Sequence, residues 1–178
     1  MRVNRTKTVT VICLAMAWFT IFSGAAAARP PSLRLSPAAL GPVRFGMDAR
    51  QASAALGAQV EVDPGINGCN FWTLPGFSNG AQTIALHGRL AYAEIYRRGP
   101  KTTRGITVGD GISRLRHRYR GRLHGGRSGS LGAAENRLFA SEVRGGATYE
   151  LEFDIWHTRV IHISAGTRRT IETFGECA

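Results

Sequence analysis

Between residues 149 and 155 apolar and acidic side chains alternate without a break. Tyr149, Leu151, Phe153 and Ile155 fall on one side, Glu150, Glu152 and Asp154 on the other. A period of two predicts a strand with one apolar and one polar face. The segment "TYELEFDIWHTRVIHIS" (148–164) runs through a hinge at His157-Thr158 into a second apolar stretch. "TIALHGRLAYAEIY" (83–96) has the same plan, hinged at His87-Gly88, so apolar–His–small–Arg–aliphatic occurs twice, seventy residues apart. The face of each residue after the second hinge depends on loop length. A bulged three-residue hairpin buries Ile161 and Ile163 and groups Glu150, Glu152, Asp154 and His162 on the open face; a strict two-residue turn sends Val160 and His162 inward. The bulged form is expected, because it buries two isoleucines.

Upstream of each hairpin the period changes. "GPVRFGMDARQASAALG" (41–57) and "RGITVGDGISRLRHRYRG" (104–121) each hold a short apolar pair, a Gly and then a helical pattern. Val43, Phe45 and Gly46 match Ile106, Val108 and Gly109, all sixty-three residues apart. Ala52, Ala55 and Leu56 supply one helical face, Ile112, Leu115 and Tyr119 the other, and Gly57 and Gly121 sit where helix C-caps belong. The offset grows from 63 to 70, which places extra residues in the Gly-rich "GRLHGGRSGSLG" (121–132), expected as a loop. The expected fold class is α+β: two tandem helix-then-antiparallel-strands units sharing one sheet, helices on one face. Unit 1 spans 41–98 and unit 2 spans 104–178, in one domain, after a signal peptide (1–28) and an N-terminal linker (29–40).

The leader changes the picture of compartment. Arg2, Arg5 and Lys7 precede an apolar run from Val9 to Phe22, and Ala25 to Ala28 offer small-residue cleavage sites. A cleaved signal peptide is expected, leaving a secreted or periplasmic protein; a retained anchor is the alternative, and the run is short for it. Cys69 and Cys177 then remain as an even pair and are expected to form a disulfide. A loop that long is worth about 4–5 kcal/mol in the chain-entropy model. The cleaved chain holds 20 basic and 12 acidic residues, and Lys101 is its one Lys. Arginine-rich anion recognition and a GC-rich coding bias both account for that excess.

The opening "VRFGMDARQASAALG" together with the "HGRL" and "HTRV" turns resembles the modules of β-lactamase inhibitory proteins and the related small outer-membrane assembly lipoproteins. The resemblance implies a tandem-repeat sheet with helices on one side and a concave face for protein partners. The second unit departs from it, with Gly109-Asp110 in place of Gly-Met, and the leader has no lipobox cysteine.

Candidate chemistry is sparse. "GRSGS" (126–130) lacks the final Gly of a nucleophile elbow, the five histidines show no zinc-ligand spacing, and Gly105, Gly109 and Gly111 make no phosphate loop. No catalytic residue, metal or cofactor is expected, and the acids of the open face are expected to be ionised and solvated. The candidate binding face comprises Trp72, Tyr92, Glu94, Tyr96, Glu150, Glu152, Asp154, Trp156 and His162. The densest charge run, "RLRHRYRGRLHGGR" (114–127), makes Arg114, Arg116, Arg118, Arg120 and Arg122 a candidate anion patch or a solvated helix face. The expected function is a non-enzymatic protein-binding module, as an inhibitor or envelope accessory protein, whose partner is another exported protein. The alternative is a basic protein holding anionic wall polymer or lipid through 114–127. Nucleic acid is not an expected partner, because no recognition module accompanies the patch.

Overall fold

A computed structural model of the chain describes residues 33–77, 79–125 and 136–173. The expected signal peptide (1–28), residues 29–32 of the expected linker, "GRSGS", Arg127 and Cys177 lie outside the described residues. In chain order the elements are β1 (Arg34–Leu35), β2 (Ala39–Leu40), β3 (Val43–Arg44), α1 (Ala49–Leu56), β4 (Glu61–Pro64), β5 (Cys69–Thr73), β6 (Ala81–Leu86), β7 (Arg89–Ile95) and β8 (Lys101–Thr102). Then follow α2 (Ile112–Arg118), β9 (Leu123–Gly125), β10 (Asn136–Arg144), β11 (Ala147–Trp156), β12 (Arg159–Thr167) and α3 (Arg168–Thr173).

The α+β expectation of two helix-then-strands units sharing one sheet is overturned. Among the described residues the protein is mostly β, 50% strand against 16% helix, in two sheets. Helices of 8, 7 and 6 residues are too short to form a layer of their own. Four strands make a small sheet in the order β3-β2-β1-β8, and eight make a large one in the order β4-β5-β6-β7-β12-β11-β10-β9. The small sheet uses part of the expected linker: Leu33, Leu35, Ala38 and Leu40 are buried. β9 likewise occupies part of the expected 121–132 loop, pairing with β10 through Leu138, Phe139 and Ala140.

Each hairpin clamps the opening that precedes it, and here the recurring His and Arg find their use. His87 and Gly88 take φ of 48° and 73°, and His157 and Thr158 take 46° and 64°. Two left-handed residues in succession make a two-residue turn whose twist suits antiparallel strands. Arg89 Nη1 then donates to Gly46 O (2.9 Å) and Arg159 Nη1 to Gly109 O (3.0 Å). Gly46 N donates to Leu90 O and Gly109 N to Val160 O, both at 2.7 Å. Gly46 and Gly109 sit at φ near +90°, which a side chain rarely tolerates.

The expected three-residue bulged loop is corrected. The turn has two residues, and the bulge lies one step inside, where the register shifts between Asp154 and Ile155 so that Asp154 faces His162. Val160 and Ile163 are therefore both buried, while Ile161 is the extra, half-buried residue. The bulge satisfies both constraints: the turn keeps Val160 inside, and the phase change keeps His162 out. β6 and β7 repeat it, with the shift between Ile84 and Ala85.

The main core lies between the large sheet and the layer formed by the small sheet, α1 and α2. Leu90, Ala93, Ile95, Leu151, Phe153, Ile155, Val160 and Ile163 face Leu35, Leu40, Val43, Ala52, Ile106, Leu115 and Tyr119. Tyr119 meets Phe153 edge-on at 5.1 Å between ring centroids. α1 is fixed by a capping box, Gln51 N donating to Asp48 Oδ1 (2.8 Å) and Asp48 N to Gln51 Oε1 (3.0 Å). Its inward stripe is Ala49, Ala52 and Leu56; Ala55, expected inside, is exposed. Gly57 is the left-handed C-cap as expected, whereas α2 ends on Tyr119 and Gly121 lies beyond it.

Candidate binding face

The second face of the large sheet carries the expected polar residues, and cross-strand register decides which of them meet. Glu94 lies opposite Ser164 and Ser164 opposite Glu152, while His162 lies opposite Asp154 and Asp154 opposite Arg137. His162 Nε2 is 3.0 Å from Glu94 Oε2 and its Nδ1 is 3.4 Å from Asp154 Oδ2. Arg137 Nε is 3.0 Å from Glu152 Oε1 and 3.2 Å from Asp154 Oδ1. Tyr92 Oη donates to Glu94 Oε2 at 3.1 Å. Tyr92, Glu94, His162, Asp154, Arg137 and Glu152 thus form one connected network over four strands.

Glu150 is served separately. Arg168, the first residue of α3, donates to Glu150 Oε1 from Nε (3.0 Å) and Nη2 (2.6 Å), and Ser141 Oγ donates to the same oxygen at 3.2 Å. The expectation that the acids are solvated fails for two of them: Glu150 and Glu152 are each only 4% exposed. Glu150 lies between Ser141 and Gly166 and Glu152 between Phe139 and Ser164, and an arginine is paired with each carboxylate, Arg168 with Glu150 and Arg137 with Glu152.

Titration follows from this packing. Burial, and secondarily the Asp154 carboxylate, push Glu152 up to about 7. Burial alone would pull His162 down, but its hydrogen bonds to Asp154 and Glu94 outweigh it and raise the imidazole to about 9. At neutral pH His162 is therefore doubly protonated and donates from both nitrogens. Tyr92 is pushed well above the usual phenol range, by burial first and the Glu94 charge second.

The remaining expected face residues divide sharply. Tyr96 is 43% exposed and Trp156 44%. Alternation along β11 puts Trp156 on the network side, two residues after Asp154; Tyr96 stands one residue past the end of β7, two after Glu94. Trp156 stacks on His157, 4.7 Å between ring centroids. Trp72 is a correction: it is 5% exposed and belongs to the main core, because β5 turns it inward opposite Thr83. Tyr92 is on the expected face but buried with Cys69 and Ile84, and Phe71, Leu86 and Ile171 of α3 pack against that group. Cys69 is 2% exposed.

Arg114, Arg116, Arg118, Arg120 and Arg122 are all exposed. Among the described residues the sole carboxylate in ion-pair range of these five is Asp110, 3.7 Å from Arg114. Arg137 and Arg168 escaped the sequence reading. A signal for Arg137 existed: Gly145-Gly146 fixes a two-residue turn pairing Arg144 with Ala147, and counting back sets Arg137 against Asp154. Nothing local marked Arg168 or α3.

Among the described residues no helix is long and apolar enough to cross a membrane. No cluster of three or more His, Cys, Asp or Glu among them is placed to hold a metal ion. No family model matches the chain, and no curated protein matches it. Among solved structures it is similar to an extracellular protein containing a SCP domain from Bacillus anthracis strain Ames, with TM-score 0.43 and 10% identity. That likeness covers 71% of this chain and 45% of the other, so the chain spans less than half of that protein's length. A likeness of that size transfers neither fold nor SCP domain to this chain.

Proposed function

We propose that this is an exported, non-enzymatic module that binds another exported or envelope protein through the open face of its large sheet. The observation that carries the reading is the pair Tyr96 and Trp156, two large aromatics left exposed, each two residues beyond a member of an interlocked charge network. Exposed aromatics on a rigid support are what protein interfaces concentrate at their anchor points. The network supplies the rigidity, since its charges are spent on one another. Export is supported by the leader at Arg2–Ala28. A Cys69–Cys177 disulfide belongs to the same reading; Cys69 is buried, and Ile171, six residues before Cys177, packs against its cluster.

The test is retention of the mature, oxidised protein's partner from exported and envelope fractions at high salt. Tyr96→Ala/Trp156→Ala is expected to abolish retention, and an Arg114/Arg116/Arg118/Arg120→Gln variant to keep it. Retention that survives the aromatic double variant overturns the assignment.

A second reading is favoured by one observation, the exposure of all five 114–122 arginines with a single acid in ion-pair range. On that reading the protein holds an anionic wall or lipid component, and binding falls steeply with salt.

A further inference from the structure

The like-charged residues Arg34 and Lys101 are register partners in the parallel pairing of β1 with β8. Both are exposed, and among the described residues neither has a carboxylate within ion-pair distance. Like charges directly opposite in a sheet destabilise it, so such a pair needs a reason. The reason lies in the space beside it. A cleft of about 430 Å³ is lined by Arg34, Arg98 and Lys101 together with Leu33, Asn79 and Gly99. A second cleft, of about 220 Å³, shares Arg98, Gly99 and Lys101 and adds Arg114. The one acid there, Asp110, is 9% exposed; its Oδ2 accepts from Thr107 N at 3.0 Å and lies 3.7 Å from Arg114 Nε, so it offsets one cation and leaves Arg34, Arg98 and Lys101 unbalanced.

We infer that the adjoining clefts around Arg98 and Lys101 form a binding site for an anion with at least two phosphate groups, reaching from Arg34 to Arg114. This deepens the anion-binding reading and rests on it, while moving the contact from the outer face of α2 into a shaped site. The larger cleft lies within the usual range of small-ligand sites. Four cations against one acid set the sign of the ligand. Guanidinium forks at Arg34, Arg98 and Arg114 suit phosphate oxygens. The phosphates could belong to a soluble chain or to lipid headgroups, and the same chemistry serves both.

The test is titration calorimetry of the protein with inorganic pyrophosphate, beside sedimentation with vesicles containing cardiolipin, whose headgroup carries two phosphates. Arg98→Gln/Lys101→Gln is expected to weaken binding by about tenfold or more, since each charge-assisted hydrogen bond counts heavily. Arg120→Gln/Arg122→Gln, on the same basic side but outside the clefts, should change it by no more than about twofold. Lys101→Gln should leave the unliganded melting temperature unchanged or higher, because it removes the like-charge pair; that separates lost binding from lost fold. Pyrophosphate binding with this pattern assigns a soluble ligand, and vesicle binding with it a headgroup. Equal loss in both double variants overturns the cleft and leaves diffuse attraction. No binding to either probe overturns the cleft and the anion reading together.

Discussion

The halves of the large sheet, β4–β7 and β9–β12, carry the same bulged two-residue hairpin and present opposite chemistry on the face turned from the main core. In the first half that face is apolar: Cys69, Ile84 and Tyr92 are buried with Phe71 and Leu86, and Ile171 of α3 closes over them. In the second it is charged: Glu150, Glu152, Asp154, His162 and Arg137 are paired among themselves and with Glu94 across the seam. One backbone plan thus yields a covered surface and an open one. The lesson is that the hairpin geometry fixes shape, while the outward residues of each strand decide whether a face is sealed by the protein itself or left for another molecule.

The comparison is broken most severely by removing one charge from the second half. Arg137→Leu leaves Glu152 beside Asp154 with no cation but His162, which Asp154 and Glu94 already share, and is expected to cost about 3–5 kcal/mol in chemical denaturation. A loss under about 1 kcal/mol would mean that solvent, not Arg137, balances these carboxylates.

A pH titration of stability comes next. His162 rises from 6.5 to about 9 on folding, so its contribution is complete below pH 6.5 and disappears as the pH passes 9, at most about 3 kcal/mol. Glu152, raised from 4.5 to about 7, adds a fall in the same direction between those values. Melting temperature should therefore decline from pH 5 to pH 9.5 (about 4–10 °C for a domain this size), and His162→Gln should flatten the upper part of the decline.

The first half sharpens the contrast at smaller cost. Ile84→Val removes one methylene beneath α3 and should cost about 1 kcal/mol, with no new pH dependence. The smallest effect distinguishes the turns themselves. Thr158 is β-branched at φ 64° where the first hairpin has Gly88, so Thr158→Gly should stabilise by about 0.5–1 kcal/mol, read as a higher denaturation midpoint.

How much of this was legible in the sequence follows from the range of each signal. Alternation along 149–155 placed Glu150, Glu152 and Asp154 on one face, because side-chain period is a local property of a strand; His162 was put there through a three-residue loop, whereas a bulge one step inside a two-residue turn is what brings it there. The helical patterns at 49–56 and 112–118 were legible too, but not how little they contribute, since helix length says nothing about the layer opposite. Trp72 was misplaced because an aromatic beside Phe71 gives no parity until its partner strand is known; pairing with Thr83 turned it inward. The burial of Glu150 depended on Arg168, which reaches it from a helix eighteen residues away, and no spacing rule announces that contact. The linker was misjudged because two-residue strands leave almost no periodic trace.

The most direct measurement is an NMR titration of the His162 imidazole in the folded protein. Midpoint protonation near pH 9, with both ring N–H groups protected from exchange at neutral pH, is the result expected if Glu94 and Asp154 hold it between them. A midpoint near 6.5 would show that the network is not formed, and the open face would lose the rigid support on which its role as a docking surface depends.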